Sequence, residues 1–216
     1  MGRSFAQLAF TPGVKRQQQK HGSRHLYARF EESSDVQSID AQSNDNADQL
    51  GPDEREFIVT RDGFYMASVS ETGWPYVLYR GGVKGFLRVL DERTLGFADL
   101  RGNKQYISTG NLEHDNRVAL FLMDYPTQSR LKILGRAEIH EGDAIAQKLI
   151  EKLRMPEEKT LVERAMLIHV EGFDWNCQQH ITPRYTQEEL TEYLAPMRRR
   201  IEALERDNER LRKLQK

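Results

Sequence analysis

From Gly63 to Phe173 the chain offers seven short stretches of strand character, spaced too closely for long helices between most of them. Phe64 to Ser70 alternates, Glu71-Thr-Gly73 reads as a turn, and Trp74 to Tyr79 follows as a second strand, broken by Gly81 and Gly82. Phe86 to Leu90 and Thr94 to Asp99 are joined by the turn Asp91-Glu-Arg93. Val118 to Met123 is nearly continuously apolar, and its length predicts a strand buried on both faces. Leu131 to Ile139 and Ala165 to Phe173 complete the set. Many short strands with tight turns predict a closed barrel. The expected class is mainly β with flanking helices, α+β.

Around that barrel the chain has room only for appendages. Its 216 residues allow one ordinary domain, 51–186, preceded by an N-terminal helix and linker, 1–50, and followed by a helix, 187–216. Thr11 is a candidate N-cap with Pro12 at the first helical position. Glu31 to Gln49 is rich in Ser, Asp, Asn and Gln and is expected to be a mobile linker. Gly51-Pro-Asp opens a short helix through Ile58. Gly142 to Leu153 reads as helix, with Ile145, Leu149 and Leu153 on one face. Asp174 to Tyr185 is an aromatic and polar loop.

From Gln187 onward the apolar residues follow steps of four and three. Leu194, Ile201 and Asn208 occupy a positions of a heptad, and Met197, Leu204 and Leu211 occupy d. The stripe is narrow, which favours a coiled-coil seam over a broad core face.

Lys and Arg (32) nearly balance Asp and Glu (33), which speaks against general nucleic-acid affinity. The single cysteine, Cys177, allows no intrachain disulfide, has no adjacent cation, and makes a reducing cytoplasm the simplest home. The N-terminus carries no long apolar run, so neither a signal peptide nor a membrane helix is expected. No Cys/His cluster has metal spacing, so no structural metal is expected.

Thr94 to Leu112 concentrates the chemistry. A strand hands over to a short helix, expected from Lys104, through a turn holding Arg101, Gly102, Asn103 and Lys104. Gly102 permits close backbone approach, and two cations beside free helix-start amides suit a phosphate. The plainer reading is a solvated basic turn.

This stretch, Gly96-Phe-Ala-Asp-Leu-Arg-Gly-Asn-Lys-Gln-Tyr-Ile-Ser-Thr-Gly-Asn-Leu112, resembles the flavin-phosphate segment of the pyridoxamine 5′-phosphate oxidase-like, FMN-binding split-barrel family. Trp74-Pro-Tyr-Val-Leu-Tyr-Arg80, Asn116-Arg-Val-Ala-Leu-Phe-Leu-Met-Asp124 and Arg130-Leu-Lys-Ile-Leu-Gly-Arg-Ala137 fit the same family in the same order. The resemblance covers about Asp53 to Tyr185 and implies a split β-barrel, bound FMN, and a homodimer with flavin at its interface. It implies that Tyr76, Val77, Leu78, Tyr79 and Arg80 lie along the flavin, with Arg80 helping to hold the phosphate. Ala98 and Asp99 fall at a backbone contact. Asn103 and Lys104 replace an Arg-Lys pair, with Gln105 next in the motif and Arg101 beside it. Arg130 stands where a glutamine touches the ring, and Trp175 and Arg184 are candidates to cover the partner's flavin. Pro75 stands where an arginine is common.

The vitamin B6 activity is not carried over. The family's substrate helix and its Arg-Leu-His run are replaced by Gln147-Lys-Leu-Ile-Glu-Lys-Leu-Arg154 and His180-Ile-Thr-Pro-Arg184. The expectation is therefore an FMN oxidoreductase for a small redox substrate, with no side chain assigned as acid or base. Two alternatives stay open. One is a non-enzymatic binder of flavin, haem or deazaflavin, where His114, His140 or His180 would serve haem as axial ligand. The other is an interaction protein acting through its coiled coil.

Overall fold

Alternating apolar residues commit the middle of the chain to strands, and the turns between them fix which strands become neighbours. A computed structural model describes residues 2–28, 30–31, 48–175 and 179–214. It contains β1 (Gly63–Val69), β2 (Pro75–Gly81), β3 (Arg88–Val89), β4 (Thr94–Leu100), β5 (Arg117–Asp124), β6 (Ser129–His140) and β7 (Val162–Trp175). All ladders are antiparallel, in the order β2-β1-β5-β6-β7-β4-β3.

Three strands separate β1 from β4 in that order, yet the rings of Phe64 and Phe97 meet edge to face at 5.5 Å. Phe86 stacks on Phe64 at 5.7 Å. Only a sheet rolled upon itself brings those rings together. Among the described residues no ladder joins the end strands β2 and β3. The barrel is thus split rather than closed. Such ring pairs add about 0.5–1.5 kcal/mol each beyond the area they bury.

Several local expectations need correction. In β5, Val118, Leu120 and Leu122 are buried, whereas Ala119, Phe121 and Met123 are half-buried. The strand therefore alternates and is not buried on both faces. The third strand shrinks to two residues, because Gly85 turns through φ +85° and delivers Phe86 and Leu87 to the core from a turn. Gly135 sits at a register shift between β6 and β7, where an added Cβ would lie 2.5 Å from the His169 carbonyl oxygen.

Helices flank the sheet: α1 (Arg3–Ala9), α2 (Pro12–Lys20), α3 (Arg24–Ala28), α4 (Pro52–Val59), α5 (Ile107–His114), α6 (Ala144–Leu153) and α7 (Gln187–Leu214). Thr11 caps α2 by accepting from the Val14 N–H at 3.4 Å, as its position predicts. Asp143 caps α6 the same way, accepting from Ala146 at 2.7 Å. The buried stripe of α6 is Ala146 and Leu153 with Leu149 and Ile150 packed beside them, and Ile145 points outward at 62% exposure. Of the expected face, Leu149 and Leu153 are on the buried side, and Ile145 gives its place to Ala146.

The linker expected over residues 31–49 lies mostly outside the described residues, as does Cys177. Its two ends are anchored. Glu31 pairs with Arg24 at 2.6 Å and Lys15 at 2.9 Å. Asp48 accepts the backbone N–H groups of Ser4, Phe5 and Phe173, tying α1 to β7.

The chain forms two compact units, residues 1–124 with 129–178, and residues 125–128 with 179–216. In the second, Thr186 and Glu189 make a reciprocal capping box: the Thr186 hydroxyl accepts from the Glu189 N–H at 3.2 Å, and the Thr186 N–H donates to the Glu189 carboxylate at 2.8 Å. That box starts α7, whose 28 residues include Pro196 and no buried side chain.

Candidate functional site

β4 is buried along both faces, and this is what charges the site. Phe97 faces the main core and Ala98 a second cluster under α6. Asp99, two residues beyond Phe97, therefore turns inward with it, 6% exposed. A buried carboxylate requires counter-charges. Arg80 at the end of β2 supplies one through a direct ion pair. Arg164 of β7, the register partner of Asp99, supplies the other, with its Nε 3.8 Å away. Burial pushes the Asp99 carboxyl above its ordinary range, against the opposing pull of Arg80 and Arg164.

Past a bulge at Asp99 and Leu100 the chain leaves the sheet. The Arg101 N–H still donates to the Leu161 carbonyl at 2.8 Å, while its side chain pairs with Glu163 at 2.9 Å. The hydrogen bond from Arg101 holds the Glu163 carboxyl below its usual value. The Asn103 side chain accepts from the Gln105 N–H at 3.1 Å and so shapes the turn. Lys104 and Tyr106 take left-handed conformations, with φ +62° and +53°. This is why α5 begins at Ile107 instead of Lys104. Left-handed backbone in residues other than glycine costs on the order of 1–3 kcal/mol each and persists only where the surroundings enforce it.

Arg164 does much of the enforcing. Its guanidinium lies 5.1 Å from the Tyr106 ring centroid and donates to the Thr109 hydroxyl at 2.8 Å. It also pairs with Glu163 at 2.9 Å and Glu141 at 3.3 Å. One buried side chain thus braces the turn at Asp99, Tyr106 and Thr109.

These elements enclose a cleft of about 310 Å³. Of the residues expected at a site, Tyr76, Leu78, Tyr79, Arg80, Ala98, Asp99, Arg101, Asn103, Lys104 and Gln105 all line it. Its charged lining is four cations, Arg80, Arg101, Lys104 and Arg164, against two carboxylates, Asp99 and Glu163. Arg80 and Arg101 are already paired, whereas Lys104 makes no ion pair among the described residues. Three cleft-lining side chains keep a buried donor without a hydrogen-bond partner: Arg80 and Arg164, each at Nε, and Ser108, in the first turn of α5, at its hydroxyl. The cleft therefore offers a positive, donor-rich surface that fits an anion.

Other expected residues stand elsewhere. Val77 is on the outer face of β2, 59% exposed; Tyr79, although it borders the cleft, packs its ring against Tyr65 at 5.4 Å. Arg130 pairs in register with Met123, and its Nε is buried without a partner. Trp175 donates to Glu54 at 2.6 Å and packs edge to face on Phe57 at 4.8 Å. None of Val77, Arg130 and Trp175 lines the cleft. Arg184 belongs to the second unit, 5.1 Å from the Tyr125 ring. Neither His114 nor His140 lines the cleft, and His140 pairs with Glu138 at 3.0 Å.

Sequence reasoning passed over Arg164, Tyr106, Ser108, Thr109 and Glu163, which also line the cleft. A signal for Arg164 existed: an arginine just ahead of the apolar run from Ala165 must bring its charge into the sheet. Among the described residues no group of three or more His, Cys, Asp or Glu could hold a metal, and no helix is long and apolar enough to cross a membrane.

The family model for pyridoxamine 5′-phosphate oxidase matches residues 50–168, more than half of the chain. A search of curated proteins finds no match. Among solved structures, HupZ of Group A Streptococcus is 18% identical, with a TM-score of 0.47, over 63% of this chain and 100% of that one. A Clostridium acetobutylicum protein related to general stress protein 26 of B. subtilis, of the pyridoxinephosphate oxidase family, is 13% identical, with a TM-score of 0.42, over 63% and 94%. An FMN-binding protein of Syntrophomonas wolfei is 12% identical, with a TM-score of 0.41, over 57% and 83%.

Proposed function

Because the chain belongs to the pyridoxamine 5′-phosphate oxidase family, we propose that it is an FMN-binding oxidoreductase, a cytoplasmic homodimer acting on a small redox substrate other than a B6 vitamer. The observation that carries this reading is the donor set where β4 hands over to α5. Lys104 without an ion pair, the partnerless Ser108 hydroxyl and the partnerless Arg80 Nε surround one cleft, behind a turn held in left-handed backbone. These groups fit a phosphate dianion, which would take charge-assisted hydrogen bonds of roughly 1.5–3 kcal/mol each.

In this reading Lys104, Arg101 and Ser108 hold the phosphate, and Asp99 and Arg164 keep the turn in shape for it. Arg80, paired with Asp99 through one terminal nitrogen, keeps its Nε buried without a partner. Tyr76 and Leu78, on the inward face of β2, lie along the ring. When bound, the isoalloxazine of FMN supplies hydride and single-electron chemistry, and the protein supplies position and electrostatics. The outer face of the β1–β2 hairpin supports a second copy. Val77, Tyr79 and Tyr65 are 59%, 54% and 40% exposed there, an apolar patch of the kind that partners cover. Val77 and Arg130 are assigned to the flavin as the family resemblance implies, and Trp175 and Arg184 to cover the flavin of the partner. The barrel of residues 51–186 is the flavin module, and α7 is the coiled-coil helix.

The test is the absorption spectrum and mass of whatever co-purifies, followed by anaerobic addition of NAD(P)H. The reading expects a flavin spectrum, the mass of FMN, and bleaching. A bound flavin that no reductant bleaches would make the protein a binder, and a Soret band would replace flavin by haem.

A further inference from the structure

α7 carries an apolar stripe that the protomer leaves open. Leu190, Met197, Ile201, Leu204 and Leu211 are 45–58% exposed, although they fall on one heptad seam. A narrow seam of a and d residues fits one helix of its own kind. We propose that α7 pairs with α7 of a second copy, parallel and in register, with Asn208 facing Asn208 across the two-fold.

Two independent features specify that arrangement. The first is polarity. In an antiparallel pair Asn208, at a, would face a d residue, and every d residue here is apolar: Leu190, Met197, Leu204 and Leu211. Its amide would then be buried without a partner. In the parallel pair each Asn208 meets the other and both amides are satisfied. The second is charge. In a parallel pair each g residue lies beside the e residue five positions later on the other helix. Arg200 at g then meets Glu205 at e, and Asp207 at g meets Arg212 at e. Both contacts are attractive, and the two-fold doubles each. Among the described residues, Asp207 makes a loose contact within its own helix, 3.8 Å from Arg210, both ends well exposed. Pro196 falls at position c, on the outer side of the seam, so its ring does not stand between the paired a and d residues.

This inference rests on the second copy and on the coiled-coil reading of α7 in the proposed function, and it does not depend on the cofactor. The test places one cysteine at a time in the full chain carrying Cys177→Ser, then applies a mild oxidant. Asn208→Cys is expected to convert most of the chain to covalent dimer, because a parallel a layer sets the two β-carbons face to face within disulfide reach. Arg206→Cys, at the outward f position, is expected to cross-link little. In the Asn208→Cys background, Arg200→Glu should lose most of the cross-link. Adding Glu205→Arg should restore it, as only the parallel register re-pairs those charges. Absence of the 208 cross-link, or failure of the charge swap to restore it, overturns the proposal. Light scattering and the flavin spectrum on the same samples separate the cases: a dimeric, flavin-loaded chain without the cross-link refutes only this pairing, whereas a monomer removes the homodimer too.

Discussion

Two aspartates flank α5 in the chain, Asp99 near the end of β4 before it and Asp115 directly after it; each is paired with an arginine, and the pairs behave in opposite ways. Before the helix, Asp99 is buried between Arg80 and Arg164, and burial pushes its carboxyl up. After it, Asp115 accepts from the Arg117 backbone N–H at 3.0 Å and from its Nε at 2.9 Å. Arg117 is largely exposed there, and its hydrogen bonds hold the Asp115 carboxyl well below the usual range. The same two side chains make an inexpensive surface clasp in water and a costly one inside the cleft. The costly pair sits where the backbone is left-handed and where a hydroxyl lacks a partner. Such clustering of expense marks a site shaped for something it binds.

The largest contrast should come from deleting the acids. Asp99→Ala leaves two arginines facing each other in a buried cleft, and should cost about 3 kcal/mol in urea unfolding. Asp115→Ala should shift the transition little, and less still in high salt. Equal losses would mean that the cleft pair is as well solvated as the surface one.

A smaller effect separates the cations. Arg164→Met removes the contacts to Tyr106 and Thr109, so FMN should bind about tenfold more weakly. Amide hydrogens of residues 101–109 should also exchange faster, the sign of a turn that has lost its brace. Arg117→Met should change neither reading. Unaltered exchange in the Arg164 variant would show that the left-handed turn holds itself.

Smallest, and sharpest in sign, is the response to pH. Asp99 has a folded value above its unfolded one. Its contribution to stability is complete below the ordinary aspartate range, near pH 3.9, and is lost as pH rises through the folded value. Asp115 is the reverse: its contribution is present above that range and lost as pH falls below it. The stability gap between wild type and Asp99→Asn should therefore narrow as pH rises from about 4. The gap to Asp115→Asn should narrow as pH falls below that point, by a small and salt-sensitive amount. Slopes of the same sign would remove the distinction between the two pairs.

Much of this was legible before any coordinates. Alternation, bounding turns and strand composition placed β1, β2 and β4 within a residue or two, and the run of Arg101, Gly102, Asn103 and Lys104 pointed to the cleft they now line. What composition could not show was where the backbone would break its own rules. Nothing in Lys104 or Tyr106 as residue types announces φ > 0, so the start of α5 was misplaced by three residues. Apolar content alone could not tell a half-buried strand from a buried one, hence the misreading of β5. Arg164 could be suspected from the apolar run that follows it, but its partner could not, because that role depends on register with Asp99 across 65 positions of chain.

The central claim is that Lys104 reads a phosphate. Riboflavin carries the same ring as FMN without the phosphate, so titrating both flavins into wild type and Lys104→Ala, followed by fluorescence quenching, isolates that contact. FMN should bind wild type far more tightly than riboflavin does. Lys104→Ala should weaken FMN about 10- to 100-fold, the loss of one charge-assisted bond, and leave riboflavin almost unchanged. Equal loss for both flavins, or equal affinity for both in wild type, would contradict the assignment.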